Sequence, residues 1–356
     1  MTGLILPPAA ARALFAGSLL CVLPVAAAAA EPAPASTAAP AAEPAPEAAA
    51  VTAPPVEPVL EAAPVQMPPA DTDSREARRR SFLSGGGRLL LTGGVSTIEG
   101  AGGGGIVPWA LIGSYGTRNE VGVSAFATGV LTQDFTLASY GGAVSFRNRI
   151  ELSVARQNFN LRNVGLVLGL GNRYTISQTI IGAKVRLVGD AVLDQDRLLP
   201  QISAGIQYKI NDDRTVVGGA LPVNRQGVDF YLAATKIILS QSVLLNATLR
   251  FTKANQFGIL GFGGLNGAQN DYQPQFEGSI AYLLTRKLAL GGEFRTKSNR
   301  LEGALGGRSF REQNAFDVFV AYAPIRNVSF TLAYASLGQI ALTRQDGVYG
   351  SLQLSF

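Results

Sequence analysis

Residues 243–252 read Val-Leu-Leu-Asn-Ala-Thr-Leu-Arg-Phe-Thr, two interleaved sets of side chains. Val243, Leu245, Ala247, Leu249 and Phe251 are apolar, while Asn246, Thr248, Arg250 and Thr252 alternate with them. A period of two means an extended strand with one face in an apolar medium and the other in a polar one. The pattern recurs at 288–295, where Leu288, Leu290 and Phe294 alternate with Ala289, Glu293 and Arg295. It recurs again at 328–335, where Val328, Phe330, Leu332 and Tyr334 alternate with Ser329, Thr331, Ala333 and Ala335.

Outward from this stretch, segments of the same kind predict about fourteen strands, the first two at 88–95 and 105–117 and the last at 347–356. Twelve or sixteen remain open, because 160–177 and 254–264 have room for further pairing. Each segment is near the ~9–11 residues that a tilted strand needs to cross a bilayer. The links alternate in length. Short ones fall at 118–119, 147–149, 240–242, 285–287 and 324–326, and long ones at 160–177, 211–226, 254–273 and 298–312. The links at 190–199 and 132–134 break the rule, the first too long and the second too short. Short turns at one end and long loops at the other are the layout of a transmembrane antiparallel β-barrel, so the fold expected is all-β with residues 85–356 as an outer-membrane barrel. The final strand supports it: Val348, Leu352, Leu354 and Phe356 alternate with Tyr349, Gln353 and Ser355, and the chain ends on the aromatic. Leu352, Leu354 and Phe356 are therefore the candidate barrel-insertion signal, read by the barrel-assembly machinery.

Composition narrows the function. The chain has no His, and its one Cys, Cys21, lies in an apolar leader. Ser–His–Asp and Cys–His catalysis and His or thiolate metal sites are thereby excluded, and no enzyme activity, cofactor or metal is expected. Charged residues are only 15% of the chain, against ~25% in ordinary soluble proteins. No apolar run reaches the 18 or so residues of a spanning helix.

Residues 1–30 read as a secretory signal peptide of a Gram-negative bacterium, with Arg12, the apolar stretch 13–25 and the small residues 26–30 before Glu31. Residues 31–84 form a disordered Pro/Ala-rich arm, with 11 prolines in 31–70 and Arg75, Arg78, Arg79 and Arg80 near its end. The arm is expected in the periplasm as a spacer or a tether to peptidoglycan. Export leaves no role for nucleic acid.

If the apolar face meets outer-membrane lipid, the other face lines a lumen. The candidate lining residues are Lys184, Arg186, Lys209, Asp229 and Asn246, then Arg250, Glu277, Glu293, Arg295 and Asp317. Arg250, Glu277, Glu293 and Arg295 lie on three successive strands and could form one ion-pair network. Residues 85–356 carry 25 Lys and Arg against 17 Asp and Glu. The expected function is a pore for small polar or anionic solutes. The alternative is a closed structural barrel that anchors the Pro-rich arm to cell wall or a partner. The glycine runs 102–105 and 261–264 lack the phosphate-loop context and read as flexible or closely approached backbone. Trp109, Tyr115, Tyr208, Tyr282 and Tyr322 suit an interfacial aromatic girdle.

Several stretches together resemble the bacterial proteins grouped as domain-of-unknown-function family 3034. They include Arg88-LLLTGG-Val95, Ile106-VPWALIG, Glu151-LSVARQNF, Gly182-AKVRLVGD, Thr252-KANQFGILGFGG-Leu265, Phe276-EGSIAYLL and Ser329-FTLAYASLG. The resemblance covers 85–356 and implies an exported outer-membrane barrel. It transfers no catalytic or binding residue.

A closed barrel in detergent should migrate faster on a gel before boiling than after it. Identical migration would return the chain to the class of soluble sandwiches.

Overall fold

The computed structural model describes residues 95–116, 119–192, 198–304 and 306–356. The expected leader, the Pro/Ala-rich arm and residues 88–94 of the first expected strand lie outside them.

Twelve antiparallel strands close into one barrel. They are β1 (Val121–Thr132), β2 (Thr136–Phe146), β3 (Ile150–Asn160), β4 (Thr175–Val188), β5 (Gln201–Asn211) and β6 (Gln226–Ile238), followed by β7 (Val243–Thr252), β8 (Gln273–Leu283), β9 (Leu288–Arg295), β10 (Ala315–Ile325), β11 (Val328–Ile340) and β12 (Thr343–Ser355). Each strand pairs with its sequence neighbours, and β12 returns to β1 from Ser124 opposite Ser355 to Thr132 opposite Gly347. Closure leaves no strand edge unpaired, which is what an apolar solvent demands of a sheet. The links at 147–149, 239–242, 284–287 and 326–327 are short, and those at 161–174, 212–225, 253–272 and 296–314 at the opposite end are long.

The period of two divides the wall as expected. Phe316, Val318, Val320 and Tyr322 of β10 face outward, and Asp317, Phe319 and Ala321 between them are buried inside. Tyr208, Tyr282 and Tyr322 are outward and exposed, as a girdle requires, but Trp109 and Tyr115 are buried in the interior.

The count of fourteen is corrected to twelve among the described residues, because the expected strand 105–117 joins no sheet. Residues 95–116 instead fold into isolated bridges, Ser96 with Gly102 and Gly103 with Pro108, inside the barrel. The reason is legible afterwards. Ile106-Val-Pro-Trp-Ala-Leu-Ile has no polar alternate, and Pro108 has no N–H to give a ladder. Residues 96–116 are all buried, so this segment is a plug.

A second element enters from the long-loop end. Residues 253–264 turn back into the mouth, where Asn211 Nδ2 donates to the Ile259 carbonyl at 2.8 Å and Phe262 bridges Asn224. Gly261 permits this at φ +79°, and a Cβ there would press on Val223 and Asn224. Ile98 and Ile106 of the plug, Phe257 and Leu260 of this loop, and Leu137 and Phe159 of the wall surround an apolar void of about 30 Å³.

Leu332 lies at the middle of β11 with 66% of its surface exposed on the outward face. In lipid vesicles Leu332→Arg should cost about 2–4 kcal/mol of folding free energy, as an arginine at mid-membrane does. A urea titration of the folded barrel measures it, and a change near zero would remove lipid from that face.

Candidate functional site in the barrel lumen

The site begins with charge. On the inward face, Lys209 of β5, Asp229 of β6, Arg250 of β7, Glu277 of β8 and Arg295 of β9 occupy one side of the lumen, all buried. Asp229 meets Lys209 at 2.7 Å and Arg250 at 3.3 Å. Glu277 meets Arg250 at 2.5 Å and Arg295 at 3.0 Å. This wall set contains three cations and two carboxylates. The third carboxylate comes from the plug: Glu99 pairs with Lys209, with Arg295 at 3.0 Å and with Arg250 at 3.4 Å. Glu99 is wholly buried and completes a neutral cluster of three and three. A buried charge must be paired and hydrogen-bonded or it costs several kcal/mol, so wall and plug each lack what the other supplies. Aromatic faces close the cluster, with Tyr231 against Arg250 at 5.3 Å and Phe257 against Arg295 at 4.4 Å.

Nearer the short-turn end, Lys184 of β4 and Glu151 of β3 pair at 3.1 Å. Glu151 accepts from the plug amides of Gly102 at 2.9 Å and Gly113 at 2.6 Å. Lys184 donates to the carbonyls of Gly102 and Trp109. Around them the wall supplies neutral partners: Ser139 and Gln157 donate to the Ile98 carbonyl, Gln201 and Ser203 to that of Ala110, and Thr248 to that of Pro108. Irregular backbone inside a barrel needs such partners, because its amides and carbonyls have no ladder. The glycines at 103–105 follow from proximity. A Cβ on Gly103 would overlap the Val107 carbonyl, on Gly104 the Glu293 carboxylate, and on Gly105 the Tyr349 hydroxyl.

The other candidate residues take distinct places. Asn246 accepts from Thr235 at 2.7 Å and bonds Thr248. Glu293 stays out of the ion-pair cluster and accepts from the Ile106 amide at 2.7 Å and from Ser279 at 2.8 Å. Ser279 in turn accepts from the Trp109 indole at 2.9 Å. Asp317 is buried opposite Glu293 on the neighbouring strand. Arg186 sits apart at the short-turn end and pairs with Asp190 at 2.9 Å. Leu352 and Leu354 face outward on β12, and Phe356 exchanges backbone bonds with Val123 of β1. At the other mouth, Lys297 and Glu312 pair at 3.5 Å. Burial pushes the Glu312 carboxyl up and the Lys297 ammonium down, each held back by the charge of the other.

Sequence reasoning missed Glu99, Glu151 and Tyr349. Glu99 carried a signal, as the only charged residue between 95 and 116 in a stretch dominated by glycine and apolar side chains.

A family profile described as "Protein of unknown function (DUF3034)" matches residues 92–353. No curated protein matches the sequence. Among solved structures, the chain is similar to the KdgM porin at 12% identity and a TM-score of 0.42, over 65% of this chain and 99% of that one. It is similar to the COG4313 outer membrane channel from Pseudomonas putida F1 at 11% identity and 0.41, over 70% and 97%. A third is outer membrane phospholipase A from Escherichia coli, at 10% identity and 0.38, over 68% and 93%.

Glu99→Gln leaves the wall cations in excess and should cost about 3–5 kcal/mol of plug docking. Trp109 is the one tryptophan of the chain and lies in the plug, so its emission reports docking directly. The variant should shift that emission to the red and raise its quenching by acrylamide, while heat-modifiable migration persists. Adding Lys209→Met, which restores neutrality, should recover part of the change; an unaltered Trp109 signal in Glu99→Gln would reject the charge lock.

Proposed function

The chain belongs to the DUF3034 family, and we propose that it works in the outer membrane as a plugged channel for small polar solutes. The observation that carries this reading is the kind of contact between plug and wall. Residues 95–116 are held by ion pairs and hydrogen bonds to polar inward side chains, alongside apolar packing of Ile98, Ile106, Val107, Trp109 and Leu111. Water can replace the polar contacts, so withdrawal of the plug leaves a duct lined in part by charged and hydrogen-bonding side chains. The apolar outward face and the closed sheet suit a bilayer. On this reading the short turns face the periplasm, where the arm is expected.

The buried charges on the strands are four cations (Lys184, Lys209, Arg250 and Arg295) and five carboxylates (Glu151, Asp229, Glu277, Glu293 and Asp317). The wall itself therefore has no positive excess to favour anions. Any preference for them comes from the basic residues of loops and turns, which steer solutes before entry. Lipid and the barrel-assembly machinery are the expected partners, with peptidoglycan a partner of the arm. The reading includes no enzyme activity, since a chain without His lacks the usual general base of hydrolytic sites.

A second reading, a closed structural barrel anchoring the arm, is favoured by the buried three-and-three charge cluster, which opposes withdrawal. Planar-bilayer recordings separate the two. The wild type should give rare single-channel steps, and Glu99→Gln should give them more than about tenfold as often, in line with the loss of a few kcal/mol. Silence from both proteins across pH and voltage would overturn the channel and leave the anchor.

A further inference from the structure

Two polar side chains on the inward face, Asp317 and Tyr349, are left outside the networks that hold the plug. Both oxygens of Asp317 and the hydroxyl of Tyr349 are buried without a hydrogen-bond partner among the described residues. Asp317 is 2% exposed and Tyr349 3%. Glu293 stands directly across from Asp317 on the adjacent strand. Both point inward, so their Cβ atoms lie about 4.5–5.5 Å apart. Tyr349 reaches the same place over Ala333 and Ala335, the small inward residues of β11 between β10 and β12. The plug fixes the convergence independently: Glu293 Oε1 fills the space of a side chain at Gly104, and Tyr349 Oη that at Gly105, on consecutive residues whose Cα atoms are about 3.8 Å apart.

No Lys or Arg among the described residues pairs with either carboxylate. The spot therefore carries two negative charges with no protein counter-charge, in a barrel that neutralises its other strand carboxylates with care. The unpartnered phenol hydroxyl, more than nine-tenths buried and turned toward them, adds a neutral oxygen. The Tyr349 hydroxyl could donate to Asp317 if the two were in contact, and it does not. Oxygens that face one place without hydrogen-bonding each other leave room for a bridging ion, since two ligands at 2.3–2.6 Å from calcium sit up to about 5 Å apart.

We propose that Glu293, Asp317 and Tyr349 form a binding site for a divalent cation of the calcium class, closed on its open side by Gly104 and Gly105 of the plug. The donor set is oxygen only, which selects hard cations over zinc or copper, and a charge of two balances the two carboxylates. The ion ties β9, β10 and β12 to the plug beside the Glu99 cluster, whose Arg295 shares β9 with Glu293, so the plug gains a second clamp. The proposal rests on residues 95–116 as a luminal plug and is independent of whether the barrel conducts.

Terbium is the probe, because a calcium-like ion bound here lies beside Tyr349 and near Trp109, through Ser279, and either ring can sensitise its emission. Full-length protein refolded in detergent with terbium should show saturable sensitised luminescence that calcium displaces. Asp317→Asn should weaken binding at least about tenfold, and Tyr349→Phe, which keeps the ring and the fold, should weaken it less. Heat-modifiable migration of each variant establishes that the barrel has formed. Calcium should also blue-shift Trp109 emission in the wild type and leave it unchanged in Asp317→Asn. Absence of saturable luminescence in the wild type, meaning that protons alone neutralise the pair, would overturn the site. So would equal luminescence in the wild type and both variants, which would place the ion on exposed loop carboxylates. Because the readout is binding, its failure leaves the bilayer recordings to decide conduction separately.

Discussion

Charge neutrality inside the barrel governs the rest of the structure. Asp229 and Glu277 alone leave the three buried cations Lys209, Arg250 and Arg295 one counter-charge short. Glu99 supplies the missing charge, and its place requires that residues 95–116 lie in the lumen. Once they do, their irregular backbone needs partners. Gln201, Ser203, Thr248, Glu151 and Lys184 provide them from four different strands.

Barrel width sets the stage for that arrangement. An eight-stranded barrel is filled by its own side chains, and one of sixteen or more leaves an aqueous channel. Twelve strands enclose a space that side chains alone do not fill and a short segment of chain can. The plug meets this limit with small residues, Gly102 to Gly105 and Ala110, where the wall comes close. The inward fold of 253–264 closes the long-loop mouth over Ile98 and Ile106, where the wall residues Leu137 and Phe159 are apolar too.

Much of this wall could be read directly. The alternation at 243–252, 288–295 and 328–335 reports its own environment, because a strand between lipid-like and polar surroundings must sort side chains by parity. The inward parity ran from Lys184 to Asp317, with Arg186 at the mouth because it lies near the end of β4. The error lay where parity is silent. Residues 105–117 have the length and apolarity of a strand, and only Pro108 and the absent polar alternates spoke against one. The strand expected there was counted for this reason.

Local chemistry along the chain was enough to specify β-strands, their faces, their turns and the exclusion of His-dependent catalysis, since each depends on neighbours within ten residues. It could not specify that Glu99 meets three cations from strands over a hundred residues away, or that Glu293 serves the plug while Glu277 serves the ion-pair cluster. Both carboxylates face inward with the same parity. What separates them is which part of residues 95–116 lies opposite, and that is settled when the barrel closes around the plug and every buried charge must find its counterpart.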